Sequence, residues 1–218
     1  MICTLVGARP QFVKAGPLSR ALKAAEIPEV LIHTGQHYDD RMSEVFFQDL
    51  DLPRPAVNLD VGSGLHGWQT GEVMRRLEPV LMEHRPEALV VFGDTNSTLA
   101  GALTAAKLHI PVVHVEAGLR SFNREMPEEI NRVVTDHIST LLLAPTTTAM
   151  TLLANEGLSG RSLLSGDITV DALAFAVNRS PGADALEPYG MEAGAYMLAT
   201  LHRPATVDDP DTLSHVLS

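Results

Sequence analysis

The sequence predicts an α/β protein built on a doubly wound, Rossmann-like parallel sheet. Short apolar segments alternate with helical patterns along the chain, which is the order that a parallel sheet with right-handed crossovers requires. The apolar segments are continuous rather than alternating, as expected of parallel strands buried on both faces. Several of them end in polar or charged residues, and open α/β sheets bind ligands at the carboxyl ends of their strands.

The elements follow one another without an internal repeat. Strands are predicted at residues 2–6, 30–34, 88–92, 112–116, 140–144, 162–165 and 196–201. Helices are predicted at residues 13–25, 41–50, 65–84, 97–107, 127–139, 147–156 and 169–178. In the helix at 65–84, Trp68, Val73, Leu77, Val80 and Leu81 fall near helical spacing, so this set, including Trp68, is expected to form one buried face.

The chain divides by composition into one domain and the start of another. Residues 1–178 hold most of the predicted strands and helices and form the first domain. Residues 179–194 are rich in Pro, Gly and Ala and are expected to be a linker. Residues 195–218 supply one strand and part of a helix, which cannot bury a core, so they are expected to begin an incomplete second domain.

Composition limits the class of protein. The 218 residues are 45% hydrophobic and carry a net charge of -11, which argues against nucleic-acid binding because that requires a basic face. The single cysteine, Cys3, and the lack of a metal-ligand spacing predict neither a disulfide nor a metal site. The N-terminal apolar run is too short for a signal peptide or a membrane span, so a cytoplasmic protein is expected.

The end of the first strand suits an anion. Gly7 makes a turn into a helix, where backbone N–H groups are expected to be unpaired, and Arg9 and Lys14 add positive charge. The alternative is a helix cap with a surface Arg and Lys. The segment lacks the G-x-G-x-x-G dinucleotide fingerprint, so a nicotinamide or flavin is disfavoured and no cofactor is expected.

The end of the second strand is less decisive. Gln36 and His37 are candidates to hydrogen-bond a ligand, whereas Asp39 or Asp40 is expected to cap the next helix.

Acidic residues follow the next two strands. Asp94 comes directly after one strand, where a helix cap is the commoner role, and Glu116 ends the next. Neighbouring strands would bring both to one edge of the sheet, and the following loop could fold Glu128 over them. Carboxylates clustered in a cleft raise one another's pKa, which suits acid–base chemistry. A solvated cluster of surface ion pairs is the alternative.

Arginine residues accompany these acids. Arg120 and Arg124 would either orient the carboxylates or contact a substrate, and the two roles are not separated by the sequence. Glu129 and Arg132 are expected to serve the start of the helix and its ion pairs. The loop at residues 118–127 is expected to be the moving part of the site.

The chain resembles the non-hydrolysing UDP-N-acetylglucosamine (UDP-GlcNAc) 2-epimerases. The resemblance rests on the segments VGARPQFVKAGPLSRAL, HTGQHYDDRMS, FGDTNSTLAGALTA, IPVVHVEAGLRSFNREMPEEINRVVTDHIS, LLLAPT and ATLHRP. It implies the first domain of a glycosyltransferase-B-like two-domain fold with the active site between the domains. It also implies a UDP-sugar substrate, a homodimer, a role in surface polysaccharide precursor synthesis and, in some members, a second UDP-GlcNAc that acts as an allosteric activator.

The resemblance also assigns roles to residues. In the family reaction UDP is eliminated to give a 2-acetamidoglucal and is then added back, which inverts C2 and yields UDP-ManNAc. The implied catalytic residues are Asp94, Glu116, Glu128 and His202. The resemblance implies substrate binding by Arg9 and Lys14, and Gln36, His37, Arg120 and Arg203 are the further candidate substrate-binding residues of the sequence.

Three departures from the family pattern bear on the substrate. Gln11 stands where the family often has Glu, Tyr38 where many bacterial members have Arg, and Asp167 follows Gly166 in place of the commoner Asn. They favour relatives acting on UDP-2,3-diacetamido-glucuronate and put allosteric activation in doubt. The sequence is also compatible with a glycosyltransferase of the same fold and with an inactive nucleotide-sugar-binding fragment. Residues 1–218 alone are not expected to catalyse epimerisation.

Overall fold

The computed structural model describes residues 1–35, 51–180, 182–201 and 204–217. Met1–Asn178 form one compact unit and Arg179–Ser218 another. The strands of the first unit are β1 Ile2–Val6, β2 Glu29–His33, β3 Val57–Asn58, β4 Ala88–Phe92, β5 Val112–Val115, β6 Leu141–Ala144 and β7 Ser162–Leu164. Its helices are α1 Arg9–Ala24, α2 His66–His84, α3 Asn96–Lys107, α4 Pro127–Ile138, α5 Thr147–Asn155 and α6 Ile168–Arg179, the last residue of which belongs to the second unit.

The described strands form one parallel, seven-stranded sheet in the order β3-β2-β1-β4-β5-β6-β7. The predicted doubly wound, Rossmann-like sheet is therefore confirmed. The strand order reverses direction between β1 and β4, and ligands of such sheets bind at the carboxyl ends of the strands at this point. Thr4 pairs with Val90 across β1 and β4, and Phe92 pairs with Val115 across β4 and β5, so the ends of these three strands meet at one edge.

Alternate residues of the strands pack on opposite faces of the sheet. Cys3 and Leu5 of β1 belong to a core cluster that includes Leu77 of α2, whereas Val6 belongs to a second cluster with Phe12 of α1. Burial on both faces explains why the strands are continuous apolar runs. Packing against the sheet is close, because a Cβ added at Gly101 of α3 would lie 2.3 Å from the Leu5 side chain.

Most predicted elements of the first unit differ from the structure by a few residues only. The larger difference is α1, which begins at Arg9 rather than at residue 13, because Pro10 lies in its first turn, where its fixed φ and missing N–H are tolerated. The short strand β3 was not predicted. The helix predicted at residues 41–50, with its capping residues Asp39 and Asp40, lies outside the described residues.

The burial predicted for Trp68 is wrong. Its side chain is 52% exposed, and the buried residues of α2 are Gln69, Val73, Leu77 and Leu81. These four recur every four residues, and Trp68 lies one residue, or about 100°, away from that line.

The second unit contains short turns and two helices. Gly182–Ala185 and Glu187–Tyr189 are 3₁₀ turns, followed by α7 Pro204–Val207 and α8 Pro210–Leu217. The strand predicted at residues 196–201 is wrong, since this segment is irregular and Met197 and Leu198 are 98% and 89% exposed. In the described part of the chain, no helix is both long enough and apolar enough to cross a membrane.

Candidate active site at the carboxyl edge of the sheet

Four charged side chains meet where β1, β4 and β5 end. Lys14 of α1 donates to Glu116 Oε2. Arg132 Nη2 of α4 donates to Asp94 Oδ2 at 2.6 Å and to Glu116 Oε1 at 3.1 Å. We call Lys14, Asp94, Glu116 and Arg132 the outer cluster. It contains two positive and two negative side chains, so its charges balance.

The outer cluster is largely shielded from solvent, and Asp94 is its most exposed member. Side-chain exposure is 33% for Asp94, 16% for Glu116, 15% for Lys14 and 7% for Arg132. The guanidinium of Arg132 therefore lies behind the two carboxylates, and it also donates through Nη1 to the main-chain carbonyl of Glu116. A ligand approaching from solvent would meet Asp94 before it meets Arg132.

Backbone conformation aims Glu116 across the strand ends. Its φ is 66°, a left-handed conformation that costs a non-glycine residue about 1–3 kcal/mol and is concentrated at functional sites. Gly93, after β4, has a φ of 64°, and a Cβ placed there would lie 3.7 Å from Glu116 Oε1. Glycine adopts this left-handed conformation without strain. The carboxylate of Glu116 lies next to Gly93.

The main chain of Asp94 is fixed by a chain of buried amides. Asn131 Nδ2 donates to the Asp94 carbonyl at 2.9 Å and to Asn96 Oδ1 at 3.1 Å, and Asn96 Nδ2 donates to Gln69 Oε1 at 2.8 Å. Thr95, not Asp94, caps α3, because its hydroxyl accepts from the Thr98 N–H. Capping by Thr95 leaves the Asp94 carboxylate available to Arg132.

The turn after β1 differs from the sequence expectation. The N–H groups of Gly7 and Ala8 donate to Gln11 Oε1 at 2.7 and 3.1 Å, so the expectation of unpaired donors at this turn is wrong. Gln11 Nε2 donates to the Phe92 carbonyl at 2.8 Å and to the Thr98 hydroxyl at 2.9 Å. Gln11 thus joins the β1–α1 turn to the β4–α3 turn and orders the edge on which the outer cluster lies.

A second set of charges lies behind the outer cluster. Asp136 of α4 accepts from Arg120 Nη1 at 2.7 Å, and Arg120 also donates to both carboxylate oxygens of Glu156 at 2.7 Å. His114 of β5 completes the set, with Nδ1 2.7 Å from Asp136 Oδ1. We call His114, Arg120, Asp136 and Glu156 the inner cluster.

The inner cluster holds Arg120 away from solvent. Its side chain is 1% exposed. Burial opposes its charge, but hydrogen bonds and attraction from Glu156 and Asp136 outweigh burial and raise the pKa of Arg120. The carboxylates that Arg120 orients are therefore Asp136 and Glu156. Contact between Arg120 and a substrate would require these ion pairs to open.

The remaining predicted site residues are either exposed side chains away from the outer cluster's hydrogen bonds or residues outside the described ranges. Glu128 is exposed in the first turn of α4, and no described hydrogen bond joins it to Asp94 or Glu116. Arg9 is exposed at the start of α1. Predictions for four residues fall outside the described ranges: Gln36, His37, His202 and Arg203. Within those ranges, no group of three or more His, Cys, Asp or Glu side chains could hold a metal ion.

Glu129 anchors the loop that precedes α4. It accepts from the N–H and hydroxyl of Ser121 at 2.7 and 2.9 Å and from the Phe122 N–H at 3.2 Å. Burial raises the pKa of Glu129, but these hydrogen bonds outweigh burial and hold it below its usual range. The loop that the sequence predicts to be the moving part of the site is thus tied to α4.

Sequence reasoning missed several residues that organise the site. Arg132 was expected to form ordinary helix pairs, and Asp136, His114 and Asn131 were not singled out. A signal was present, because Asn131-Arg132 and Thr135-Asp136 repeat at a spacing of four residues and give α4 a polar face.

Fold and site together define a Rossmann-like α/β domain with a carboxylate pair at the carboxyl edge of its sheet, beside the switch point. The chain belongs to the UDP-N-acetylglucosamine 2-epimerase family, whose family model matches residues 20–218.

Two relatives show how similar this chain is in sequence to members of the family. A UDP-N-acetylglucosamine 2-epimerase homolog from Methanococcus maripaludis is 46% identical over 219 residues, covering 100% of this chain and 61% of the relative. A UDP-2,3-diacetamido-2,3-dideoxy-D-glucuronate 2-epimerase from Pseudomonas aeruginosa is 45% identical, covering 99% of this chain and 61% of the relative.

Solved structures agree in fold. The crystal structure of Methanocaldococcus jannaschii UDP-GlcNAc 2-epimerase in complex with UDP-GlcNAc and UDP superposes with a TM-score of 0.86 at 44% identity, covering 99% of this chain and 60% of that one. The chain therefore spans about three fifths of the length of the relatives it matches.

Proposed function

We propose that this chain carries the acid–base groups of an enzyme that epimerises C2 of UDP-N-acetylglucosamine. The observation that supports the proposal is the outer cluster, in which Asp94 and Glu116 share the guanidinium of Arg132 beside the amine of Lys14. Two carboxylates suit a reaction in which a proton leaves one face of a carbon and returns to the other. Adjacent cations suit a diphosphate leaving group.

The proposed reaction has two steps. In the first, a carboxylate takes the C2 proton, the C1–O bond breaks with its electrons leaving on UDP, and a C1–C2 double bond forms in a 2-acetamidoglucal. In the second, a UDP oxygen bonds to C1 and a proton adds to the opposite face of C2. The carboxylates also stabilise positive charge at C1 when C1–O cleavage runs ahead of proton removal.

The proposed roles of Asp94, Glu116 and Lys14 follow from their positions, whereas those of Gln36, His37, His202 and Arg203 rest on the sequence alone. Asp94 and Glu116 are the proposed proton-transfer groups, and Glu128 is a third acid at the mouth of the site. Lys14 is proposed to contact the diphosphate. Substrate contacts are also proposed for Arg9, Gln36, His37 and Arg203, with His202 assisting departure of UDP. Arg120 is proposed to position the inner cluster.

Two UDP-sugars are candidate substrates. UDP-GlcNAc is the leading substrate, and UDP-2,3-diacetamido-2,3-dideoxy-D-glucuronate is the alternative, favoured by Gln11, Tyr38 and the 45% identity to an enzyme named for that substrate. A panel of both sugars, measured by turnover at equal concentration, separates them.

The wider setting of the enzyme is also a proposal. We propose a cytoplasmic homodimer of chains with a second, glycosyltransferase-B-like domain, without nucleic-acid or membrane partners. Light scattering on the product of the complete reading frame tests the dimer. A sigmoidal dependence of the turnover rate on the concentration of UDP-GlcNAc would indicate an activating second nucleotide-sugar.

The decisive experiment follows hydrogen exchange at C2. Epimerisation in D₂O should place one deuterium at C2 of both epimers, whereas transfer of the sugar to an acceptor without exchange would overturn the proposal in favour of a glycosyltransferase. Both the 218-residue chain and the product of the complete reading frame are assayed. UDP binding without turnover by the complete product would favour the binding-module alternative.

Variants locate the chemistry. Asp94→Asn and Glu116→Gln should each lower turnover by about a hundredfold or more, since a positioned acid or base contributes about 10²–10⁴ in rate. Asp171→Asn, at an exposed acid in α6, is the matched control and should keep the parent rate. An unchanged rate in Asp94→Asn would remove Asp94 from the chemical step.

A further inference from the structure

His114 lies fully buried between two oxygen atoms. Its exposure is 0%, its Nε2 is 2.7 Å from the carbonyl oxygen of Gly93, and its Nδ1 is 2.7 Å from Asp136 Oδ1. A carbonyl oxygen accepts hydrogen bonds and cannot donate them, so Nε2 must carry a hydrogen. The protonation of the ring is then decided by the state of Asp136.

The surroundings of Asp136 keep its carboxyl group ionised. Oδ2 accepts from Arg120 Nη1 at 2.7 Å and from the Gly118 N–H at 3.1 Å. Burial opposes a charge on Asp136, but a guanidinium N–H and a backbone N–H both donate to this one oxygen, and the adjacent guanidinium favours the ionised carboxylate whatever the state of His114. An ionised carboxylate only accepts hydrogen bonds, so Nδ1 of His114 must also carry a hydrogen.

We infer that His114 is a buried imidazolium cation, locked between Asp136 and the Gly93 carbonyl, and that it positions the two carboxylates of the site. This role rests on the proposed function. With His114 charged, the inner cluster holds two cations, His114 and Arg120, against two anions, Asp136 and Glu156, and its charges balance. A neutral ring would leave one of the two oxygens facing a nitrogen lone pair, which is costly in a buried site.

The position of His114 connects it to both reacting groups. The carbonyl that it holds belongs to Gly93, the residue before Asp94, and His114 itself lies two residues before Glu116 on β5. Asp136, on its other side, accepts from the N–H of Gly118, two residues after Glu116. The imidazolium therefore fixes the β4–α3 turn and the end of β5 relative to each other. It contacts neither carboxylate of the outer cluster in the described structure, so it is a positioning residue.

Nuclear magnetic resonance of the ring tests the inference directly. In protein with ¹⁵N-labelled histidine near neutral pH, both ring nitrogens of His114 should show one-bond coupling to a hydrogen that exchanges slowly with water. Through-bond correlation from the Cβ of residue 114 assigns the ring without a variant. Loss of the signal in His114→Gln, but not in His109→Gln at an exposed turn, provides a second assignment. A ring nitrogen without a hydrogen would overturn the inference.

Kinetics test the positioning role separately. In the complete protein, His114→Gln should lower kcat for C2 deuterium exchange by about tenfold to a hundredfold, because small misplacements of reacting groups cost up to about 10² in rate. KM should change by less than about threefold, since nucleotide contacts are not removed. His109→Gln should behave as the parent. A rise in KM with kcat unchanged would refute the positioning role.

The two experiments fail independently. An imidazolium signal in a protein that does not epimerise would refute the proposed function and leave the buried cation standing. A neutral ring in an active epimerase would refute the cation and leave the proposed function standing.

Discussion

Replacing Asp136 by Asn should remove a large part of the stability of the first unit. Asp136 is 0% exposed and joins three partners, His114, Arg120 and the Gly118 N–H. Asn keeps the shape but presents an NH₂ group to one of these donors and leaves two cations with only Glu156 to balance them. Breaking a buried charge pair by removing one partner costs about 3–5 kcal/mol, and we expect a loss in that range.

The assay uses the single tryptophan of the chain. Trp68 lies on α2 in the first unit, so its fluorescence during urea unfolding reports on that unit and not on residues 179–218. Asp171→Asn, at an exposed acid, is the matched control and should change the free energy of unfolding by no more than about 0.5 kcal/mol. A loss below about 1 kcal/mol in Asp136→Asn would refute the view that the inner cluster is a tightly coupled ion network.

The pH dependence of this loss has a defined sign. The pKa of Asp136 is held below its ordinary value of 3.8 in the folded protein. Its ionisation therefore contributes stability that is present above 3.8 and is lost as the pH falls through the lower, folded value. The contribution that the ionisation of Asp136 makes to the difference between the parent and Asp136→Asn should therefore shrink as the pH falls below about pH 4. A difference that grows on acidification would contradict the assignment.

Three further predictions concern packing, backbone conformation and the thiol. Gly7→Ala should destabilise the first unit by about 1–3 kcal/mol in urea, because its Cβ would lie 2.3 Å from Ser97 Oγ, whereas Gly67→Ala, with nothing within 4 Å, should not destabilise it. Arg85→Gly should stabilise the unit by about 0.5–1 kcal/mol in thermal melts, since Arg85 ends α2 with a φ of 46°, a conformation that favours glycine; a lower Tm would contradict this. Cys3 should resist alkylation near pH 8 until urea unfolds the protein, because burial raises the pKa of its thiol to about 11; rapid labelling of native protein would count against the buried position.

The sheet could be predicted from sequence because parallel strands buried on both faces leave a strong apolar signal. Residues 196–201 show the limit of that signal. They are as apolar as a strand, but in the described part of the second unit they pair with no neighbouring strand, and a strand without partners is not stable. The strand β3 shows the opposite case, a real strand that was not predicted. It pairs with β2 through Val57 and Asn58 only, and two residues are too few to give a recognisable apolar pattern.

The site was only partly predictable because α4 is polar on its inner face. Asp94 and Glu116 follow strands, so topology alone brings them together. Arg132 and Asp136 reach the site only because α4 turns its polar face toward the sheet, while Ile130 and Val134 are 38% and 36% exposed. The usual rule that the apolar face is buried gives the wrong orientation for this helix.

Charge balance in the outer cluster has a consequence for the rate at which an anionic ligand arrives. Two cations facing two carboxylates produce little field at a distance, while the chain as a whole carries a net charge of -11. A diphosphate would therefore be repelled on approach rather than steered, and added salt should speed association by screening the repulsion. Under the proposed function, attraction would begin only at contact, when the ligand oxygens compete with Asp94 and Glu116 for Lys14 and Arg132.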